Sequence, residues 1–292
     1  MADYAKDVLV ETDWVEQHLD DENVRIVEVD ENPALYREAH IPGAIGFDWK
    51  RDLQDPVRRN FLGPDAFSKL FSSRGIGNEH TVVLYGDRNN WFAAYTYWYL
   101  KYYGHHNVKL MNGPREKWIG ENRPTTSEVP SHGTANFEVR GSDDAIRARR
   151  DEVLVALDDQ DVRLVDVRSP QEFSGEIIAM AGYEQEGAQR SGHIPTAASV
   201  PWAQAVREDG TFKSADELRD LYEGKGVIDG DKEIVAYCRI GERSAHTWFV
   251  LHELLGHEAV RNYDGSWTEW GSLVDVPVER DAKEDEPEFQ SA

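Results

Sequence analysis

Apolar residues gather in short β-branched runs separated by stretches of helical period. VRIVEV (24–29) and VRLVDV (162–167) read as one pair of strands, TVVLY (81–85) and EIVAY (233–237) as another. The second pair is apolar almost throughout, as expected of a central strand covered on both faces. After EIVAY the pattern changes. SAHTWFVLHELL (244–255) sets Ala245, Trp248, Phe249 and Leu255 on one helical face, and Gly256 supplies a stop signal, as Gly104 does earlier. Alternating strands and helices predict an α/β chain built of βα units around a mainly parallel sheet.

The pattern occurs twice. Val82 to Trp118 aligns without gaps with Ile234 to Trp270 at an offset of 152, and Val83, Tyr85, Ala93, Gly104, His105, Val108, Gly113 and Trp118 each meet their own residue type. Upstream, AHIPGA (39–44) answers GHIPTA (192–197), and VRIVEVD (24–30) answers VRLVDVR (162–168). A period of this length belongs to a duplicated domain with its own core, not to a solenoid repeat. The expected organisation is a first domain over 1–124, a polar linker over 125–144, a second domain over 145–280 and a charged, apolar-poor tail over 281–292.

Composition narrows the functional classes. The chain has 292 residues, 40% of them hydrophobic, enough for two cores. With 55 acidic against 32 basic residues the net charge is −23, which disfavours binding to a nucleic-acid backbone. The acid is spread over both halves and the basic residues comprise 10 Lys and 22 Arg, a balance that suggests adaptation to high salt. No apolar run approaches the roughly 18 residues of a membrane span, and the first residues lack the pattern of an export signal. A cytoplasmic protein, monomeric because its paired domains satisfy their own interface, is expected.

Candidate chemistry centres on Cys238, the only cysteine, which can form neither an internal disulfide nor a cysteine-rich zinc site. It stands where EIVAY hands over to a helix, at the carboxyl end of a strand, where α/β sheets bind ligands. Backbone N–H groups at the helix start and the flanking Arg239 and Arg243 are expected to lower its pKa. The competing reading is a small core residue at a strand end. The repeat favours chemistry: Gly86 stands opposite Cys238, Asp87 opposite Arg239 and Trp91 opposite Arg243, within an otherwise matching framework.

Two tandem copies, a cysteine only in the second, the loop CRIGER, GHIP upstream and DGSWTEW downstream together resemble the two-domain thiosulfate sulfurtransferases, the rhodaneses, over nearly all of 8–277. The resemblance implies two rhodanese-like domains, each a five-stranded parallel sheet flanked by helices, with the active site in a cleft between them. It implies that Cys238 carries sulfur as a persulfide, that the loop through Ile240, Gly241 and Glu242 cradles it, and that Arg168, Arg239 and Arg243 bind the anionic donor. Thiosulfate would give up its outer sulfur to the Cys238 thiolate, sulfite would leave, and cyanide or a thiol would accept the sulfur, with no metal or organic cofactor. Ile240 departs from the vertebrate members, which carry lysine there. Trp91 and Phe92 are candidates for lining the cleft from the first domain.

Other readings differ in chemistry. Cysteine phosphatases use C-x5-R, whereas Arg243 falls one position early and Ser244 stands at the sixth place. A 3-mercaptopyruvate donor goes with a loop lacking a basic residue after the cysteine, so Arg239 favours thiosulfate. A protein-directed sulfur carrier without turnover of its own is a further alternative. HELLGH (252–257) spaces its histidines at i and i+5, off one helical face and unlike the zinc motif HExxH. His40 and His193 are expected to be turn framework, and Asp30 and Asp166 a framework pair.

Overall fold

The computed structural model describes residues 3–281, so all of the expected tail beyond Asp281 lies outside the described residues. Two five-stranded sheets are present, and every strand pairing in both is parallel. The first contains β1 (Leu9–Val10), β2 (Val24–Asp30), β3 (Ile45–Asp48), β4 (Thr81–Tyr85) and β5 (Val108–Met111), in the order β1-β5-β4-β2-β3. The second contains β6 (Arg147–Ala148), β7 (Val162–Asp166), β8 (Ala198–Ser199), β9 (Glu233–Tyr237) and β10 (Val260–Tyr263), in the order β6-β10-β9-β7-β8. The two orders are the same, shifted by five strands.

β4 and β9 are the central strands, and their alternate side chains divide between two cores. Val83 and Tyr85 enter a cluster private to the first half, Val235 and Tyr237 one private to the second. Val82, Leu84, Ile234, Ala236 and Cys238 all join one continuous cluster shared by both halves. The expectation of one core per copy therefore holds only for the outer faces. The inner faces merge because the helix Trp91–Tyr102 is apolar all round, with every residue buried except Lys101, and must be covered on all sides. It packs on the helix Glu242–Trp248 and its π-helical continuation Phe249–Leu254, with the Tyr97 ring 4.8 Å from Phe249. Gly241, at φ +105°, turns the chain into that helix two residues earlier than the apolar pattern predicts, and Gly256, at φ +74°, follows its end.

The segment 125–144 has little regular structure but is fastened to the first half. Phe137 is buried against Phe71 and Phe67 of the helix Pro64–Ser73, and its backbone N–H donates to Ser72 Oγ.

Both copies use the same buried brace. The Tyr85 hydroxyl accepts from the Ile41 amide and bonds Glu28; the Tyr237 hydroxyl accepts from the Ile194 amide beside Asp166. Strand register places Glu28 beside Tyr85 and Asp166 beside Tyr237. This corrects the expected pairing of Asp30 with Asp166: the counterpart of Asp166 is Glu28, and Asp30 corresponds to Arg168. His40 stacks on Tyr36 and His193 on Phe173, each histidine bonding that turn's carbonyl through Nδ1, the framework role expected of both.

Candidate active site

Cys238 follows directly on β9 and is fully buried. Its backbone is held from both sides: the amide donates to Ser266 Oγ at 3.0 Å and the carbonyl accepts from the Trp267 amide at 3.0 Å. The loop then curls back on the sulfur. The Gly241 amide donates to Sγ at 3.2 Å, Ser244 Oγ lies 3.5 Å from it, and Asn262 Nδ2 holds the Gly241 carbonyl at 3.1 Å. Gly241 is required here twice over, because its φ is left-handed and a Cβ would lie 2.9 Å from the Asp264 Cα.

The thiol also faces an acid. Glu242 Oε2 lies 3.3 Å from Sγ, placed to accept the thiol proton. Burial pushes the Cys238 pKa up, the Glu242 charge pushes it further, and Arg243 offsets only part of this. The expectation of a lowered thiol pKa is thus corrected: desolvation and a contiguous carboxylate outweigh Arg243.

Arg239 and Arg243 both reach the site, already paired. Arg239 Nη2 lies 3.0 Å from Glu242 Oε1 and 3.0 Å from Glu186 Oε2, and its guanidinium sits 4.1 Å over the Tyr183 ring. Arg243 forms a two-pronged bond to Glu172 at 3.1 and 3.2 Å, with Met180 Sδ and the Trp91 ring beside it. Burial alone would lower the Arg243 pKa, but Glu172, the Cys238 sulfur and Glu242 raise it, so it stays charged. For Glu172, burial works against the charge and Arg243 more than compensates, holding the carboxyl below its usual range. Two arginines therefore face three carboxylates, Glu172, Glu186 and Glu242. Arg239 nevertheless keeps Nε and Nη1 buried with no hydrogen-bond acceptor among the described residues.

Arg168 is placed differently. It is fully buried, bonded through Nε and Nη2 to Asp166 and through Nη2 to the Gly192 carbonyl at 2.6 Å, and lies 4.6 Å over the Trp267 ring. These contacts tie β7 to the GHIP turn and to the segment that braces the Cys238 backbone. Asp166 pairs Nε and Nη2 of Arg168 inside the core, while Nη1 of Arg168 is buried with no hydrogen-bond acceptor among the described residues. Ile240 is buried at the seam between the halves, where its carbonyl accepts from Arg59 of the first half at 3.3 Å. Trp91 does reach the second half, edge-on to Trp202 at 5.1 Å, whereas Phe92 stacks on Trp49 within the first.

Four partners of the site escaped the sequence reading: Glu172, Met180, Tyr183 and Glu186. The last three lie on an insertion. The offset between copies rises from 138 at Val24/Val162 to 153 at Ala39/Gly192, so the second copy gains 15 residues between the helix Pro170–Ser174 and the GHIP turn. That change was a readable signal. The inserted segment closes over Arg239 and Arg243, and Glu186 also reaches Lys50 of the first half at 2.8 Å.

The matching loop of the first copy is built otherwise. A Cβ on Gly86 would lie 2.1 Å from the Val29 carbonyl oxygen, so a cysteine does not fit there. Asp87 is turned inward, accepting from the Glu31 and Asn32 amides. In HELLGH, His252 pairs with Glu253 and His257 bonds the Lys232 carbonyl, separate tasks for the two rings. Among the described residues, no helix is long and apolar enough to cross a membrane.

Two parallel α/β sheets with a single cysteine loop at their seam define a class, and comparison with known proteins agrees: the Rhodanese-like domain family matches residues 11–121 and 149–273, and the chain belongs to it. It is 58% identical over 275 residues to the sulfur carrier protein TtuD of Thermus thermophilus, covering 93% of this chain and 96% of that one. It is also 58% identical over 284 residues to a Haloferax volcanii protein named "Putative thiosulfate sulfurtransferase", covering 96% and 98%. Among solved structures, SseA from Escherichia coli, described with the rhodanese fold of 3-mercaptopyruvate sulfotransferases, superposes with a TM-score of 0.77 at 25% identity over 89% of this chain and 98% of that one.

Proposed function

We propose that the protein is a sulfurtransferase that takes sulfane sulfur from thiosulfate onto Cys238 and passes it to a thiol or to cyanide. One observation carries the reading: the Cys238 sulfur is enclosed by a loop whose Gly241 amide donates to it, between two arginines and beside a proton acceptor. Such a pocket holds a sulfur atom out of water, where a persulfide is protected from competing reactions.

The steps follow from charge. Glu242 takes the thiol proton as the donor arrives, which matters because the buried thiol resists ionisation. The thiolate attacks the outer sulfur of thiosulfate, the S–S bond of the donor breaks, and sulfite leaves with that electron pair and collects the proton from Glu242. The sulfur of Cys238 in the persulfide keeps accepting the hydrogen bond that the Gly241 amide donates. Arg239 Nε and Nη1, buried without acceptors among the described residues, are donors available to the sulfonate oxygens. Arg243 fixes Glu172 and the helix start, and Arg168 supports the brace behind the loop. Because Met180, Tyr183 and Glu186 cover the arginines, the inserted segment must move for a dianion to enter.

The kinship with a sulfur carrier protein supports a second arrangement on the same chemistry, in which the acceptor thiol belongs to another protein. A colorimetric assay with thiosulfate and cyanide tests the catalytic reading. Turnover is expected in the wild type and not in Cys238→Ser; no turnover in either leaves the carrier role or a 3-mercaptopyruvate donor.

A further inference from the structure

A cleft of about 440 Å³ opens at the seam between the halves, beside the turn Asp264–Ser266 that braces the Cys238 loop. Its walls are basic in a chain of charge −23: Arg58 and Arg59 come from the first half, and Arg147, Arg149 and Arg150 from the second. Only three carboxylates line it, and each is engaged. Asp264 is held by Arg147 at 2.9 Å, Asp151 by Arg150 at 2.8 Å, and Glu269 accepts from the Tyr263 hydroxyl at 2.7 Å.

Arg58 and Arg59 are exposed, and among the described residues no carboxylate lies within ion-pair distance of either side chain. Arg59 donates to two backbone carbonyls, Ile240 at 3.3 Å and Asp264 at 3.1 Å, neutral acceptors that leave its charge uncompensated. The turn that presents the pair is costly. Arg59 sits at φ +56°, unfavourable for a residue with a side chain, and is held there by its amide on the Asp55 carbonyl while the Asp55 carboxylate accepts from the Arg58 amide. The opposite wall is fixed, because the Arg147 guanidinium lies 3.9 Å over the Phe61 ring and donates to Asn60 Oδ1.

We propose that this cleft is a binding site for a small multivalent oxyanion of the phosphate or sulfate kind, which would bridge the two halves. Planar guanidinium forks suit tetrahedral oxyanions, and the acidic surface elsewhere leaves few competing places for an anion. None of the lining residues belongs to the loop 238–243, so the site is separate from the thiol and meets that loop through Arg59 on the Ile240 carbonyl and through Asp264 beside Gly241.

The test is calorimetric titration of inorganic pyrophosphate, and separately of sodium sulfate, at fixed ionic strength into the wild type, Cys238→Ser, Arg58→Glu and Arg149→Glu. The two substitutions replace exposed arginines outside the thiol site, and circular dichroism checks that each variant is folded. One saturable site is expected, equal in wild type and Cys238→Ser and at least tenfold weaker in both arginine variants, and the tighter anion identifies which oxyanion the cleft prefers. No saturable binding of either anion, binding unchanged in the arginine variants, or binding lost in Cys238→Ser would overturn the proposal. The last outcome would assign the anion to the thiol pocket instead.

Discussion

The Glu242 carboxylate bridges the thiol and a guanidinium: Oε2 lies 3.3 Å from the Cys238 sulfur and Oε1 lies 3.0 Å from Arg239 Nη2. A negative charge so placed has two opposite effects on reactivity. It raises the thiol pKa, and it offers the proton somewhere to go. Glu242→Gln separates them. If proton transfer dominates, persulfide formation at neutral pH should slow by about 10²-fold or more, as for loss of a general base. The deficit should shrink as pH rises and hydroxide removes the proton instead. Stopped-flow single turnovers across pH measure this, and a faster variant at neutral pH would show that Glu242 acts only as a repelling charge.

Gly86→Cys asks whether the first copy is merely missing its thiol. The Cβ would meet the Val29 carbonyl oxygen at 2.1 Å, so the backbone must shift. The expected cost is about 1–3 kcal/mol of stability, typical of overpacking, with no second sulfur taken up from thiosulfate. Urea unfolding and intact mass provide the two readouts, and a stable variant that loads two sulfur atoms would contradict the account of the first loop.

Asp30 should make the first half sensitive to alkali. Burial and then the neighbouring Glu28 charge raise its pKa to about 10, so the folded state keeps a proton that the unfolded chain releases near pH 4. Stability from this group is full below the unfolded pKa and drains as pH rises toward 10, by up to about 1.4 kcal/mol per pH unit. Asp30→Asn keeps the size and an oxygen acceptor for the Asp87 amide. Its melting temperature should match the wild type near pH 4 and exceed it at pH 9. Parallel pH profiles for the two proteins would sink this assignment.

We also propose that the acidic surface is tuned to concentrated salt. With an excess of 23 negative charges, self-repulsion is poorly screened in dilute buffer, and screening shortens to a few ångströms near molar salt. The melting temperature should climb from dilute buffer to molar potassium chloride. A flat profile argues for an ordinary acidic protein.

Much of the fold was legible because it repeats. Tyr85 and Tyr237, Gly104 and Gly256, and the two HIP turns occupy equivalent places, so periodicity and self-alignment located the strands, the helix stops and the loop at Cys238. Charge balance at the site was not legible. Arg239 and Arg243 stand next to the cysteine in sequence, but two of the acids that pair them, Glu172 and Glu186, lie more than 50 residues upstream and meet them only in the folded chain. Glu242 was visible as a loop residue, not as a thiol contact, because orientation within a tight loop depends on the left-handed turn at Gly241. The pairing of Arg168 was hidden in the same way: sequence shows its charge, whereas its ion pair with Asp166, two residues before it, is seen only in the folded core.

The central claim is that Cys238 carries the transferred sulfur. Intact-mass spectrometry before and after incubation with excess thiosulfate tests it most directly, with cyanide added afterwards. The wild type should gain the mass of one sulfur atom and lose it to cyanide, while Cys238→Ser stays unshifted. An unshifted wild type, or a Cys238→Ser protein that still gains sulfur and turns over, would contradict the account.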